Sequence, residues 1–318
     1  MRILNITHSP YWFPDHFTYL LTQTGHTGET WYHSEGNFSA ETANRIWNEQ
    51  KDYFNQFDAV LVSHTASWCR VFLQNNWTKP LFVWFFFRFD HDVPDLNAYY
   101  DLLINATIMP NVKFFAATEY DRRYAHNRLI VPEHFPLEIV TPFLTVNNED
   151  KTPIPCHEDK FYLVGKHNES LIMPKLQKLG VPFYHQSWET CVPDLRTARG
   201  IVHIPYVFAT RSLIENIASE NVYFLPDQVL LGEIQRDVPG FFWDGGMPGE
   251  GYGDFSLSEW YNNAYPDLFV YYSSFEELKG LSDGVALPHI IANKKKMIRE
   301  FKSQHYEKTL RQWKELLE

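Results

Sequence analysis

Short runs dominated by adjacent hydrophobic side chains lie within residues 2–7, 58–63, 81–87 and 112–117, where regular alternation with polar residues would mark a half-exposed strand. Such runs predict strands buried on both faces of a parallel sheet. Between them lie amphipathic stretches: residues 15–22, with Asp15 as a possible N-cap, a stretch opening at Ser39 with Thr42 three residues on, and residues 119–127. These predict helices, the second capped by its serine. The polar, proline-bearing segment 147–159 then interrupts the alternation and reads as a linker. Beyond it the pattern resumes, with strands at 161–164, 181–185, 200–204, 222–225 and 268–272 and helices at 174–179, 194–198 and 210–219. Residues 232–266, rich in Gly, Trp and Tyr, predict a long ordered loop near a cleft. The tail from Ile290 is helical, with Lys294, Lys295 and Lys296 on a solvated face. Two βαβ blocks around one linker predict an α/β chain of two doubly wound domains facing a cleft, residues 1–147 and 158–289, followed by helices over 290–318.

Composition narrows the function classes. A chain of 318 residues with 44% hydrophobic and 21% charged residues is globular and long enough for two domains. Its net charge of -11, from 28 basic and 39 acidic residues, argues against nucleic acid as the main partner. An aromatic content of 17% suits a large core and a site that stacks flat rings. Cys69, Cys156 and Cys191 form no close pair, which fits reduced thiols in a cytoplasmic protein better than a disulfide framework or a zinc knuckle. The most apolar run, residues 80–87, is far shorter than the roughly 20 residues of a spanning helix, so no transmembrane segment is expected. The opening residues pass straight into polar Thr7 and His8 and read as a strand, not a signal peptide.

The most informative stretch runs from His203 to Pro226 as strand, loop, helix and strand. Thr210, Arg211 and Ser212 sit where the helix begins, and its free N–H groups and positive dipole end suit a diphosphate. Arg211 adds a guanidinium, and Glu215, four residues on, could take both hydroxyls of a ribose. Gly165 and Lys166 end the first strand after the linker, where glycine permits close backbone approach and lysine supplies charge. Tyr184 and His185 end the next strand. In the first half, the apolar strand at 81–87 delivers Arg88, Asp90 and His91 to its C-terminal end, and His64 follows the strand at 58–63. Open α/β sheets bind ligands at that end, and a His or Asp there could orient or deprotonate a hydroxyl. His8 follows the first strand in the same way.

Glu215-Asn-Ile-Ala, followed by Asn221-Val-Tyr-Phe-Leu-Pro, resembles the E-A-x-A-x-G-x-P-V element of GT-B glycosyltransferases, family 4 above all. The likeness is carried mainly by residues 160–226. It implies two Rossmann-like domains, with the C-terminal helices crossing back to the first. It implies retaining, metal-independent transfer of a sugar from a nucleotide-diphospho-sugar to a glycan or small-molecule acceptor. Glu215 would bind the ribose, the helix start with Arg211 and Lys166 the diphosphate, and Tyr184 and His185 the base. Arg88, Asp90, His91 and His64 would serve the reacting centre. The chain departs from the pattern at Val207, where the family has a second Glu, and at Glu220 or Asn221, where it has Gly.

Two other readings use the same residues. Asp90-His91-Asp92 is a D-x-D, which in GT-A transferases holds a divalent metal under the diphosphate. A carbohydrate-binding protein that keeps a GT-B shell would tolerate the loss at Val207. Glycosylation of DNA bases is disfavoured by the net charge.

Overall fold

The computed structural model describes residues 1–8, 13–32, 36–86, 89–128, 137–145, 154–155, 159–164, 172–185, 193–239, 241–242 and 255–318. The chain divides into two units: Met1–Phe143 together with Glu307–Glu318, and Leu144–Tyr306.

The first unit contains β1 (Arg2–Thr7), α1 (Phe13–Thr24), β2 (Thr27–Tyr32), α2 (Ala40–Phe54) and β3 (Ala59–Val62). A 3₁₀ turn (Ala66–Cys69) leads into α3 (Arg70–Leu73), followed by β4 (Leu81–Phe85), α4 (Leu96–Ala106), β5 (Val112–Ala116), α5 (Glu119–Asn127) and β6 (Glu138–Ile139). The strands form one sheet in the order β2-β1-β3-β4-β5-β6, with every pairing parallel. This is a doubly wound order whose direction reverses between β1 and β3. Right-handed crossovers place α1 on one face and α2 to α5 on the other. Aromatic residues fill both layers. Trp84, Phe115, Trp313 and His16 pack on one side. Phe38, Trp68, Phe54, Phe72 and Trp77 meet mostly edge to face in another cluster. Much of the aromatic content is therefore core.

The second unit contains a small parallel pair, β7 (Ile154–Pro155) with β10 (Pro193–Asp194). Its main sheet uses β8 (Phe161–Leu163), β9 (Phe183–Tyr184), β11 (Gly200–Val202), β12 (Tyr223–Pro226) and β13 (Val270–Tyr272), in the order β13-β12-β11-β8-β9, again all parallel. Its helices are α6 (Met173–Leu179), α7 (Arg211–Ala218), α8 (Gln228–Asp237), α9 (Phe275–Asp283) and α10 (Leu287–Leu317), the last of which ends within the first unit. The chain is thus an α/β protein with two parallel sheets flanked by helices.

Several boundaries differ from the sequence pattern. Helix α1 begins at Phe13, so Asp15 lies inside its first turn and is not the cap. The strand expected at 81–87 ends at Phe85, the one at 181–185 is limited to Phe183–Tyr184, and 194–198 holds a 3₁₀ turn, Leu195–Thr197. The expected loop at 232–266 opens inside α8, whose cap Asp227 accepts the Leu230 N–H at 2.8 Å. Of its described aromatics, Phe241, Phe242, Phe255, Trp260 and Tyr265 are buried in the unit. The tail is one helix, and Lys294 is not simply solvated: its ammonium donates to the Asp267 carbonyl. Among the described residues no helix is long and apolar enough to cross a membrane.

Candidate functional site

In the first unit His8 and His64 meet at the reversal point. Ile6 pairs with Val62 across β1 and β3, and the buried Ser63 hydroxyl donates to Asn5 Oδ1 at 2.7 Å, tying the strand ends together. The next residues in register bring His8 beside His64, their rings nearly parallel (8°) with centroids 6.4 Å apart. His64 has φ 68, and the Thr65 N–H returns to the Ser63 carbonyl at 2.9 Å, so His64 is the centre of a positive-φ γ-turn. That turn is rare and strained, and strained residues of this kind cluster at functional sites. The His64 Nδ1 lies 3.1 Å from the Thr65 hydroxyl. Burial, and then the fields of the His8 and His91 imidazoles, pull its pKa down to about 4. His64 is therefore a neutral imidazole at neutral pH.

His91, whose field reaches His64, lies in the loop after β4. Its Nδ1 lies 2.8 Å from Asp92 Oδ2, and Asp92 is also left-handed, with φ 63. Asp90 turns elsewhere. It is buried, receives the Tyr100 hydroxyl at 2.5 Å and the Tyr124 hydroxyl at 3.0 Å, and has Arg128 Nε at 3.9 Å. Burial, and then this hydrogen bond to Asp90, push the Tyr100 phenol above its ordinary range. Helix α4, which carries Tyr100, is anchored at its start by Asp95, held on two oxygens by the buried Arg70. Arg88 lies outside the described residues.

With both carboxylate oxygens committed to phenols, Asp90→Asn is expected to cost about 1–3 kcal/mol of stability. Turnover per folded molecule should stay within a few-fold. Measuring kcat beside the melting temperature checks this: a kcat loss of about 10² or more at unchanged melting temperature would return Asp90 to the chemistry.

In the second unit, reversal falls between β8 and β11. Gly165 and Lys166, just past β8, lie outside the described residues. Past β11 the chain reaches α7, where Thr210 is the N-cap and its hydroxyl accepts the Leu213 N–H at 3.3 Å and lies 2.9 Å from Ser212 Oγ. Arg211 Nε donates to Glu215 Oε1 at 2.8 Å, and both side chains are partly exposed. Thr210, Arg211, Ser212 and Glu215 thus share the first turns of one helix. Tyr184 lies at the sheet edge, its ring 6.3 Å from that of Tyr162, and His185 follows it.

The sequence pattern does not reveal Tyr100 and Tyr124 as partners of Asp90, because they come from two different helices, 10 and 34 residues on, whose packing brings them together. It also misses His203, at the end of β11, which is buried with neither ring nitrogen hydrogen-bonded and whose ring lies 4.5 Å from that of Trp260. Cys69 is buried, and that burial raises its thiol to about 12, so it is not a nucleophile.

Among the described residues no group of three or more His, Cys, Asp or Glu side chains is placed to hold a metal ion. Asp90 and Asp92 are committed to different partners. No protein-family model matches the chain, and no curated protein matches it.

Proposed function

We propose that the chain is a GT-B-type glycosyltransferase, taking a nucleotide-diphospho-sugar on the second unit and an acceptor hydroxyl on the first. The observation that carries the reading is the start of α7. A capped helix N-terminus follows the third strand of the second sheet, with Arg211 beside it and Glu215 one turn in. A helix start and a guanidinium suit a diphosphate, and a carboxylate suits vicinal hydroxyls. The turn after α7 supports the same reading. Glu220 is left-handed, φ 61, at the place where the resembling motif has glycine. Although burial works against it, Arg299 at 2.9 Å and Lys302 at 3.4 Å hold its carboxyl below the ordinary range, which offsets part of the backbone strain.

In the transfer, the acceptor oxygen forms the new bond to the anomeric carbon as the bond to the diphosphate breaks. The negative charge gathering on the diphosphate is met by the α7 N–H groups and Arg211, donors that are already oriented. On the acceptor side, His64 is in the protonation state that can accept a hydrogen bond from a hydroxyl. The resemblance implies retention of configuration without a metal.

Calorimetry with nucleoside diphosphates tests the reading. Glu215→Ala is expected to weaken binding by about 1–3 kcal/mol, roughly 5- to 150-fold, because it strands Arg211 and the ribose hydroxyls. Equal affinity in parent and variant would remove Glu215 from the site, and no binding of any nucleotide would overturn the function.

A further inference from the structure

We propose that Asn216, Asn221 and Tyr223 are positioning residues for the donor site: a buried polar lock that fixes the first turn of α7 in its diphosphate-receiving pose before any ligand arrives. The donor assignment rests on the transferase reading; the lock itself does not.

All three residues are buried. Tyr223 opens β12, paired with Ile201 of β11, and its ring stands edge to face against Trp260 at 5.2 Å. It is a post fixed to the sheet. Its hydroxyl donates to the Ser212 carbonyl, in the first turn of α7, at 3.2 Å. Asn216 commits both protons of its amide: Nδ2 donates to the same carbonyl at 2.8 Å and to the Tyr223 hydroxyl at 2.8 Å. Ser212, Asn216 and Tyr223 thus close a ring of hydrogen bonds. The Asn216 Oδ1 accepts from Asn221 Nδ2 at 2.7 Å, and the Asn216 carbonyl accepts the Asn221 N–H at 2.9 Å. This second pair carries the tie across the turn that follows α7. Burial pushes the Tyr223 phenol above its ordinary range, so the hydroxyl keeps its proton at neutral pH.

Helical spacing gives α7 two polar pairs on different sides. Ser212 and Asn216 turn to the sheet, while Arg211 and Glu215 form the partly exposed pair. A helix of eight residues does not hold its pose by itself. Leu213, Ile214 and Ile217 bury its inner side, but hydrophobic burial has no direction. Hydrogen bonds to a strand residue do, and they set the rotation and the advance of the helix. A diphosphate needs its N–H groups and guanidinium in place beforehand, because ordering them on binding costs affinity. Counted from Glu215, the resembling element has alanine at the place of Asn216 and valine at the place of Tyr223, and neither can make these bonds. The two departures bond to each other, so they act as one unit.

Calorimetry with nucleoside diphosphates on the full chain is the test, run well below the melting temperature so that parent and variants are all folded. A lock that only adds global stability would leave affinity unchanged there. Tyr223→Phe keeps the ring and removes the hydroxyl, and is expected to weaken binding about 5- to 10-fold. Asn216→Ala, which also releases Asn221, should weaken it at least as much. Ser274→Ala removes one hydrogen bond from the cap of α9, beyond the edge strand of the same sheet, and should lower the melting temperature without changing affinity. In an Arg211→Gln background the effect of Tyr223→Phe should shrink, because part of what the lock positions is gone. Amide exchange in the ligand-free chain is the second readout: over residues 213–217 it should quicken in Tyr223→Phe and stay as in the parent in Ser274→Ala. Parental affinity in both lock variants would overturn the positioning role and leave the transferase reading standing. Unchanged exchange in both would overturn the lock itself. Quickened exchange in a chain whose parent binds no nucleotide would keep the lock and remove its assignment to a donor site.

Discussion

Replacing Trp313 with alanine is expected to destabilise the first unit by about 3–5 kcal/mol, as large aromatic truncations in a packed core do. Trp313 is fully buried near the end of α10. Its ring stands perpendicular to Trp84 at 5.1 Å and nearly so to Phe115 at 5.5 Å, and its Nε1–H donates to the Thr141 carbonyl at 3.3 Å. Alanine would open a cavity among rings that cannot collapse into it and would orphan that carbonyl. Around it, Gln312 donates to the Ile139 carbonyl at 2.8 Å and Lys113 to the Leu316 carbonyl at 2.8 Å. These polar ties hold the helix end, but they are exposed or half-buried and each contributes about 1 kcal/mol. The melting temperature of the first unit should therefore fall by roughly 10 °C. Trp313→Phe, which keeps much of the packing, should fall by less. An alanine variant melting within about 2 °C of the parent would show that this helix end is dispensable to the unit.

Mild acid is expected to unfold the protein, the first unit ahead of the second. His16 is buried, and its Nε2 accepts the Phe143 N–H at 2.9 Å, a role open only to the neutral ring. Burial holds its pKa at about 3, and burial does the same for His203 in the second unit. His64 sits at about 4, for burial and then for its imidazole neighbours. In the unfolded chain each imidazole titrates near 6.5. Between about pH 6.5 and the folded values, the unfolded state binds protons that the folded state refuses. Stability therefore falls as pH falls, by up to about 1.4 kcal/mol per pH unit for each histidine. The first unit carries His16 and His64 and should lose up to about twice as much per unit of pH as the second, which carries His203. Urea midpoints measured from about pH 7 down to about pH 4.5 should decline steadily. His16→Gln, whose amide oxygen can accept the same N–H, should remove one proton from the slope. Midpoints independent of pH across that range would sink the assignment of these rings as neutral and buried.

The parallel sheets were legible because strands buried on both faces must be apolar at consecutive positions, as at Ala59–Val62 and Leu81–Phe85. The cap Ser39 and the helix start at Thr210 were legible as residue types, Thr118 caps its helix in the same way, and each accepts the N–H three residues on. The signal for α9 was also present: Ser274 caps, and Glu277 reaches back to the Ser273 N–H at 2.7 Å, a local pattern open to reading. β2 is different. It is a largely exposed edge strand, Thr-Gly-Glu-Thr-Trp-Tyr, with little apolar signal. Its Gly28 is required because a Cβ there would run into the Ile3 carbonyl oxygen, which is a fact about the neighbouring strand.

By itself, then, the sequence determined the α/β class, the parallel sheets and the helix start at Thr210, Arg211 and Ser212. Those features depend on period, burial and backbone groups within a few residues. Tertiary structure alone decided which side chains meet. It set His8 against His64 through strand register, gave Asp90 to two tyrosines from α4 and α5, and placed His16 under Phe143 and Trp313. Such contacts join residues 34 to 127 apart along the chain for Asp90–Tyr124 and His16–Phe143. They arise from close packing of whole layers, which no local pattern encodes.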